Sequence, residues 1–183
     1  MKKTFFLLLI SLFSLSVFAQ KGETYVVPDL PIDEDTKLVT YRDVVREKGT
    51  PQELYDRAMD WIKAYYKNTN EVIKSSDREK GVIEMRSSVK IHVITKNGTK
   101  VFKNIVYYNF RLECRQDRYR YTITDFNEKA AAAAPIEWWF DQTHSRWQPT
   151  LFDNLNEIHE QIQSLLISLE EGMAPKVEKV DDW

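Results

Sequence analysis

KVFKNIVYYNFRLECRQDRYRYTITDF, Lys100 to Phe126, decides the architecture. Val106, Tyr108, Phe110, Leu112 and Cys114 alternate with Tyr107, Asn109, Arg111 and Glu113. After a turn at Gln116-Asp117, Tyr119, Tyr121 and Ile123 alternate with Arg118, Arg120, Thr122 and Thr124. A period of two over such runs describes antiparallel strands with one apolar and one polar face. An apolar sheet face left wet would aggregate, so the flanking sequence must supply a cover.

Upstream, Asn97-Gly98 is a strong hairpin signal, since both central positions of a two-residue turn favour positive φ. With Thr99 the same residues spell a glycosylation sequon, but the turn reading is preferred behind a bacterial-style leader. Ile83, Met85, Val89, Ile91 and Val93 alternate with Glu84, Arg86, Ser88, Lys90 and His92, which adds a third long strand. The polar turn DREKG, 77–81, separates it from a short strand expected at Glu71–Ser76. Before that, Thr50, Pro51 and Glu53 form a capping box with proline at the first helical position. Leu54, Ala58, Trp61, Ile62 and Tyr65 then recur at helical spacing through Lys67. Leu38–Val45, rich in β-branched residues, is a further strand.

Downstream, Ala130–Ala134 and Pro135 break the pattern, and 136–149, IEWWFDQTHSRWQP, reads as an aperiodic aromatic loop. Thr150 is positioned to cap a second helix, with Leu151, Leu155, Ile158, Ile162, Leu165, Leu166 and Leu169 on one stripe and Gly172 as its end. At 1.5 Å per residue that helix is roughly 30 Å long, enough to cross a sheet. The expected fold is α+β: an antiparallel sheet of about five strands in the order β-α-β-β-β-β-α, with both helices on one face.

Residues 1–19 stand apart. Lys2 and Lys3 precede the apolar run Phe5–Phe18, and Val17 and Ala19 fill a signal-peptidase site with cleavage between Ala19 and Gln20. The run is short for a spanning helix, which needs roughly 20 apolar residues. The expectation is a signal peptide at 1–19 and export to the periplasm or cell envelope of a Gram-negative bacterium, with no transmembrane segment remaining. An irregular lead-in at 20–37 follows, then a single domain at 38–172 with 130–149 as an Ala/Trp-rich loop insert, and a charged tail at 173–183. Without Lys2 and Lys3, 24 of the 26 basic residues face 28 acidic ones, a net of −4. That sign sets nucleic acid aside as a partner. Cys114 is the single cysteine and cannot form an intramolecular disulfide.

The segments VTYRDVV, TPQELYDRAMDWI, the turn into GVIEM, and RYRYTITDF resemble a family of exported bacterial proteins of unknown function described as having a TATA-binding-protein-like (TBP-like) fold. The resemblance covers roughly residues 38–126. It implies that fold and brings no activity and no site residue.

The chemistry-bearing residues do not converge. His92, His144 and His159 lack zinc spacing: His159-Glu160 opens like a zinc-protease helix, but Gln163 stands where the second histidine belongs. Cys114 falls on the apolar face as a small core residue. No nucleophile elbow, phosphate loop or dinucleotide fingerprint occurs, and Asp181-Asp182 sits in the tail. The expectation is therefore no catalytic, cofactor or metal site. Two binding surfaces are candidates. One is a loop bearing Trp138, Trp139, Phe140 and Trp147, whose rings would stack on a sugar or partner if exposed, though large aromatics usually bury. The other is the open sheet face with Arg86, His92, Tyr107, Arg111, Arg118 and Arg120. The functional expectation is a non-enzymatic envelope domain binding an unknown envelope protein or small ligand. The alternative is a small envelope enzyme or hydrolase accessory, for example one binding glycan through the Trp-rich loop.

Overall fold

Thr50 starts the first helix as its sequence requires. Its hydroxyl accepts from the Glu53 N–H at 3.2 Å, and the Glu53 carboxylate accepts from the Thr50 N–H at 2.7 Å. The computed structural model describes residues 25–132 and 134–175. The expected signal peptide, its cleavage site and most of the tail lie outside the described residues.

The elements are β1 (Tyr41–Arg46), α1 (Pro51–Tyr65), a single turn α2 (Thr69–Val72), β2 (Ile73–Asp77), β3 (Val82–Ile94), β4 (Lys100–Arg115), β5 (Arg118–Glu128), a 3-10 helix (Ile136–Phe140) and α3 (Thr150–Met173). The five strands form one antiparallel sheet in the order β1-β5-β4-β3-β2. Alternation sends Ile83, Met85, Val89, Ile91, Val106, Tyr108, Phe110, Leu112, Tyr119 and Ile123 into one layer of core. α1 and α3 cover that face, α1 with Leu54, Ala58, Trp61 and Ile62, and α3 with its leucine and isoleucine stripe. Tyr121 is only half-buried, and Val93 with it, because both lie toward the margins of the helical cover.

Two bulges tune the long strands. Asp125 adopts φ 59, and the register between β4 and β5 shifts between Tyr107 and Asn109. The extra residue restores the phase, so Phe126 returns to the core after Ile123. A second shift lies between Ile91 and His92 against β4. Beyond it the β3–β4 hairpin leaves the helical layer and exposes Ile94, Val101 and Phe102.

Several local expectations are corrected. The strand expected at Glu71–Ser76 begins at Ile73, because Asn68 reaches Glu71 at 2.7 Å and the chain takes a helical turn first. The Asn97-Gly98 turn is wider than two residues: Thr95 donates to Thr99 and Gly98 to Thr95, both at 2.9 Å, and Gly98 alone of the pair has positive φ. Thr150 is the first residue of α3 and not its cap; Pro149 occupies that position without a side-chain bond. The lead-in from Tyr25 joins the body of the fold, with Leu30 and Val39 in the core and Ile32 bridging Val39.

Gly172 does not end α3, which continues through Met173. It lies where α3 crosses Trp61 of α1. A Cβ there would stand 2.5 Å from Trp61 Cδ1 and 2.8 Å from its Cβ and Cγ. Trp61 also donates its indole N–H to Ser168 Oγ at 3.1 Å and meets the Phe110 ring edge-on at 6.0 Å. One side chain thus touches both helices and the sheet. Gly172→Ala is expected to lower the unfolding free energy by about 1–3 kcal/mol through overpacking, measured by denaturant titration. At an open helix position the same change would stabilise by about 1 kcal/mol, so a more stable variant would contradict the crossing.

Candidate functional site

The strands differ in length, and the difference makes a site. β2 pairs with β3 only from Val82 to Met85, whereas β3 runs to Ile94. Cys114 N–H donates to Gly81 C=O, so odd-numbered residues here bond toward β4. Strand alternation then turns the even-numbered backbone groups toward the outer edge. Two of these are taken by α3: Gln161 Nε2 donates to Lys90 C=O at 2.9 Å, and Glu157 Oε2 accepts from His92 N–H at 2.8 Å.

Beside this edge lies a cleft of about 310 Å³ between the end of α1, α3 and the sheet. Ser87, Ser88 and Val89 of β3, Tyr65 and Tyr66 at the end of α1, Tyr108 of β4, and Glu160, Gln161, Ser164 and Leu165 of α3 line it. Ser164 Oγ turns back to Glu160 C=O at 2.9 Å. The Tyr66 hydroxyl oxygen is fully buried and lies in a cluster with the Ser87 and Tyr108 hydroxyls. Burial pushes the Tyr66 phenol above 10.0, and pushes Tyr108 well above it. Both are therefore neutral hydroxyls at neutral pH, able to donate and accept.

A neighbouring cleft of about 410 Å³ lies under the β3–β4 hairpin, between His92, Lys100 and the first turns of α3. Glu157 occupies its wall and also accepts from His92 Nδ1 and Lys100 Nζ, each at 2.9 Å. Burial works to raise the Glu157 carboxyl, but the bonds from His92 and Lys100 outweigh it and hold it below 4.5. Asn154, almost fully buried, turns its amide N–H to Thr150 C=O and its oxygen to Lys103 Nζ at 3.2 Å.

The two surfaces proposed from sequence fare differently. The aromatic segment is not an exposed loop. Trp139 is 2% exposed and fills the core beside Ile136. Trp147 donates its indole N–H to Trp139 C=O at 2.8 Å and packs on Phe152 and Tyr25. Phe140 is half-buried against the core. Trp138 is half-buried too, with the His144 ring 4.6 Å away and the Arg146 guanidinium 5.0 Å over its ring. The burial gain of four large rings overrides the absence of periodicity. On the open sheet face, Arg86 stacks over Tyr107 at 5.5 Å, Arg111 pairs with Glu84 and Glu113, and Arg120 binds Glu113 at 2.8 Å. Arg118 stands with Arg115, Arg120 and Val44 around a recess of about 100 Å³. His92 does not belong to this face: its ring is held at the sheet edge by Glu157, where β3 has no strand neighbour.

Cys114 is buried, and burial pushes its thiol up to about 12. His159 Nδ1 lies 3.0 Å from the Tyr41 hydroxyl. Among the described residues, no group of three or more His, Cys, Asp or Glu side chains is placed to hold a metal ion. No described helix is long and apolar enough to cross a membrane.

Sequence reasoning missed Tyr66, Ser87 and Gln161 as cleft residues, and Glu137. Glu157 and Gln161 are four apart on the polar side of α3, but only the path of α3 across the sheet shows what they reach. Glu137 Oε1 accepts from Val39 N–H at 2.9 Å, tying the lead-in to the 3-10 helix, while Oε2 is buried without a bond. Burial pushes this carboxyl above 4.5, and Asp125 nearby adds to the push.

Two outcomes are expected. Trp139→Ala lowers the unfolding free energy by about 3–5 kcal/mol, and Trp138→Ala by less than half of that, in parallel denaturant titrations. A raised carboxyl binds its proton more tightly in the folded state, so its stabilisation is lost as pH rises through the folded pKa. Glu137→Gln keeps an acceptor for Val39 and has no such loss. The melting temperature of Glu137→Gln relative to wild type is expected to climb as pH is raised from about 4.5 to 7; a constant difference would refute the buried charge.

Residues 41–129 match the family model described as "Domain of unknown function (DUF4468) with TBP-like fold". The crystal structure of a TBP-like protein from Parabacteroides distasonis ATCC 8503 is similar with a TM-score of 0.58 and 18% identity, covering 79% of this chain and 96% of that one. The crystal structure of a DUF4468 family protein from Bacteroides ovatus ATCC 8483 gives a TM-score of 0.62 and 16% identity, covering 84% of this chain and 96% of that one. At these identities the likeness shows the fold alone. No curated protein matches the chain. Across residues 41–129, just under half of the chain, this protein is therefore similar to the DUF4468 domain of unknown function, and it shares the TBP-like fold.

Proposed function

We propose that this domain is a non-enzymatic binding module of the cell envelope, taking a small ligand rich in hydrogen-bonding groups in the cleft at the β3 edge. The observation that carries this reading is the set of hydrogen-bonding side chains gathered in one cleft of about 310 Å³, where Ser87, Ser88, Gln161 and Ser164 stand together and none is buried. The placement in the envelope rests on the N-terminal Lys2, Lys3, the apolar run and Ala19.

The competing surfaces support the reading less. The arginines on the open face are largely committed to Glu84, Glu113 and Tyr107. A glycan platform in the aromatic segment lacks free rings, since Trp139 is buried and Trp138 is packed with His144 and Arg146.

The test is a fragment screen of the mature chain by ligand-observed NMR. Ser87→Ala keeps the strand and removes one hydroxyl from the cleft wall. It is expected to weaken cleft binders by about threefold to tenfold, as one hydrogen bond of about 0.5–1.5 kcal/mol implies. Ser164→Phe fills the cleft from α3 and is expected to abolish binding. Binders that both variants retain at wild-type affinity would exclude the cleft.

A further inference from the structure

We infer that the ligand class of this cleft is a short extended peptide with an acidic residue, which adds to the outer edge of β3 at Ser88. The inference rests on the cleft being a binding site and goes on to name what the site takes. The alternation that places Lys90 C=O and His92 N–H on the outer edge places both backbone groups of Ser88 there too. β2 stops pairing at Met85, and α3 takes the edge again only from Lys90 onward. Ser88 therefore lies between the two, in the wall of the cleft. A free N–H and C=O on one exposed edge residue are what an added strand pairs with.

The neighbouring side chains select the occupant. A residue exchanging both hydrogen bonds with Ser88 directs its side chain to the open face, as Ser88 does. Arg86 and Lys90 stand two positions to either side on that face, exposed. They are the diagonal neighbours of the incoming side chain, so a carboxylate there meets two cations. The residues flanking it point the other way, into the cleft between Ser87, Tyr66 and Leu165. At about 310 Å³ that space admits small side chains. Gln161 and Ser164 are then in place for the peptide's remaining amide groups.

The experiment is a titration of the 15N-labelled mature chain with the blocked peptide acetyl-Thr-Ala-Glu-Ala-Thr-amide. The expected result is a saturable shift of the Ser88 amide and binding at least tenfold tighter than the same peptide with Lys at its centre. A peptide N-methylated at the Glu is expected not to bind. Because these changes are made on the peptide, a misfolded variant cannot imitate the outcome. Equal binding of the Glu and Lys peptides, equal binding of the N-methylated peptide, or an unmoved Ser88 amide overturns the inference. If fragments sensitive to Ser87→Ala bind while the peptides do not, this inference falls and the cleft reading stands. If the Glu peptide shifts Ser88 in wild type and Ser164→Phe alike, the pairing stands and the cleft reading falls.

Discussion

β3 has thirteen residues and its outer neighbour β2 has five. The rest of the structure answers to that mismatch. A strand edge without a partner leaves backbone donors and acceptors that must be bonded or wet. α3 meets part of the need with Glu157 on His92 N–H and Gln161 on Lys90 C=O. Those two bonds hold α3 against the edge as well as over the face of the sheet. They also hold the His92 ring and Lys100 Nζ on one carboxylate, which ties down the base of the projecting hairpin. Where β2 has stopped and α3 does not bond the β3 edge, the cleft opens between them.

The second constraint is close approach. α1 and α3 lie on one face of a twisted sheet and must touch to exclude water from between them. Trp61 fills the crossing and Gly172 makes room for it. The indole then reaches Phe110 below and Ser168 beside it. The same crossing anchors the end of α3, and the earlier turns that pass β3 present Glu157, Gln161 and Ser164 to the edge and the cleft. Core packing and the position of the site are set by a single contact.

Much of this was legible from residue order. The capping box at Thr50 is local, so three residues sufficed to start α1 where it starts. The alternation along β3, β4 and β5 assigned the buried face, because a period of two leaves little choice once one face is apolar. Other features depend on tertiary contacts that carry no local signal. A glycine near a helix end reads as a cap, and Gly172 turned out to be a crossing point. Trp138, Trp139 and Trp147 have no period, yet they bury against the core. His92 keeps the alternation in sequence, but its ring follows Glu157 to the sheet edge. The cleft itself was not legible at all. It follows from where β2 stops and where α3 crosses, and neither Tyr66 nor Gln161 carries a motif.

Among the described residues, the outer edge of β3 is unpartnered at Ser88 and partnered on either side of it. Native-state amide hydrogen exchange, followed residue by residue by NMR, measures it directly. Ser87 and Val89, bonded inward to β4, are expected to exchange slowly, and His92, bonded to Glu157, to be protected as well. Ser88 is expected to exchange at a rate close to that of an open chain. A Ser88 amide as protected as Ser87 and Val89 would mean that the edge is already closed, and would contradict the account.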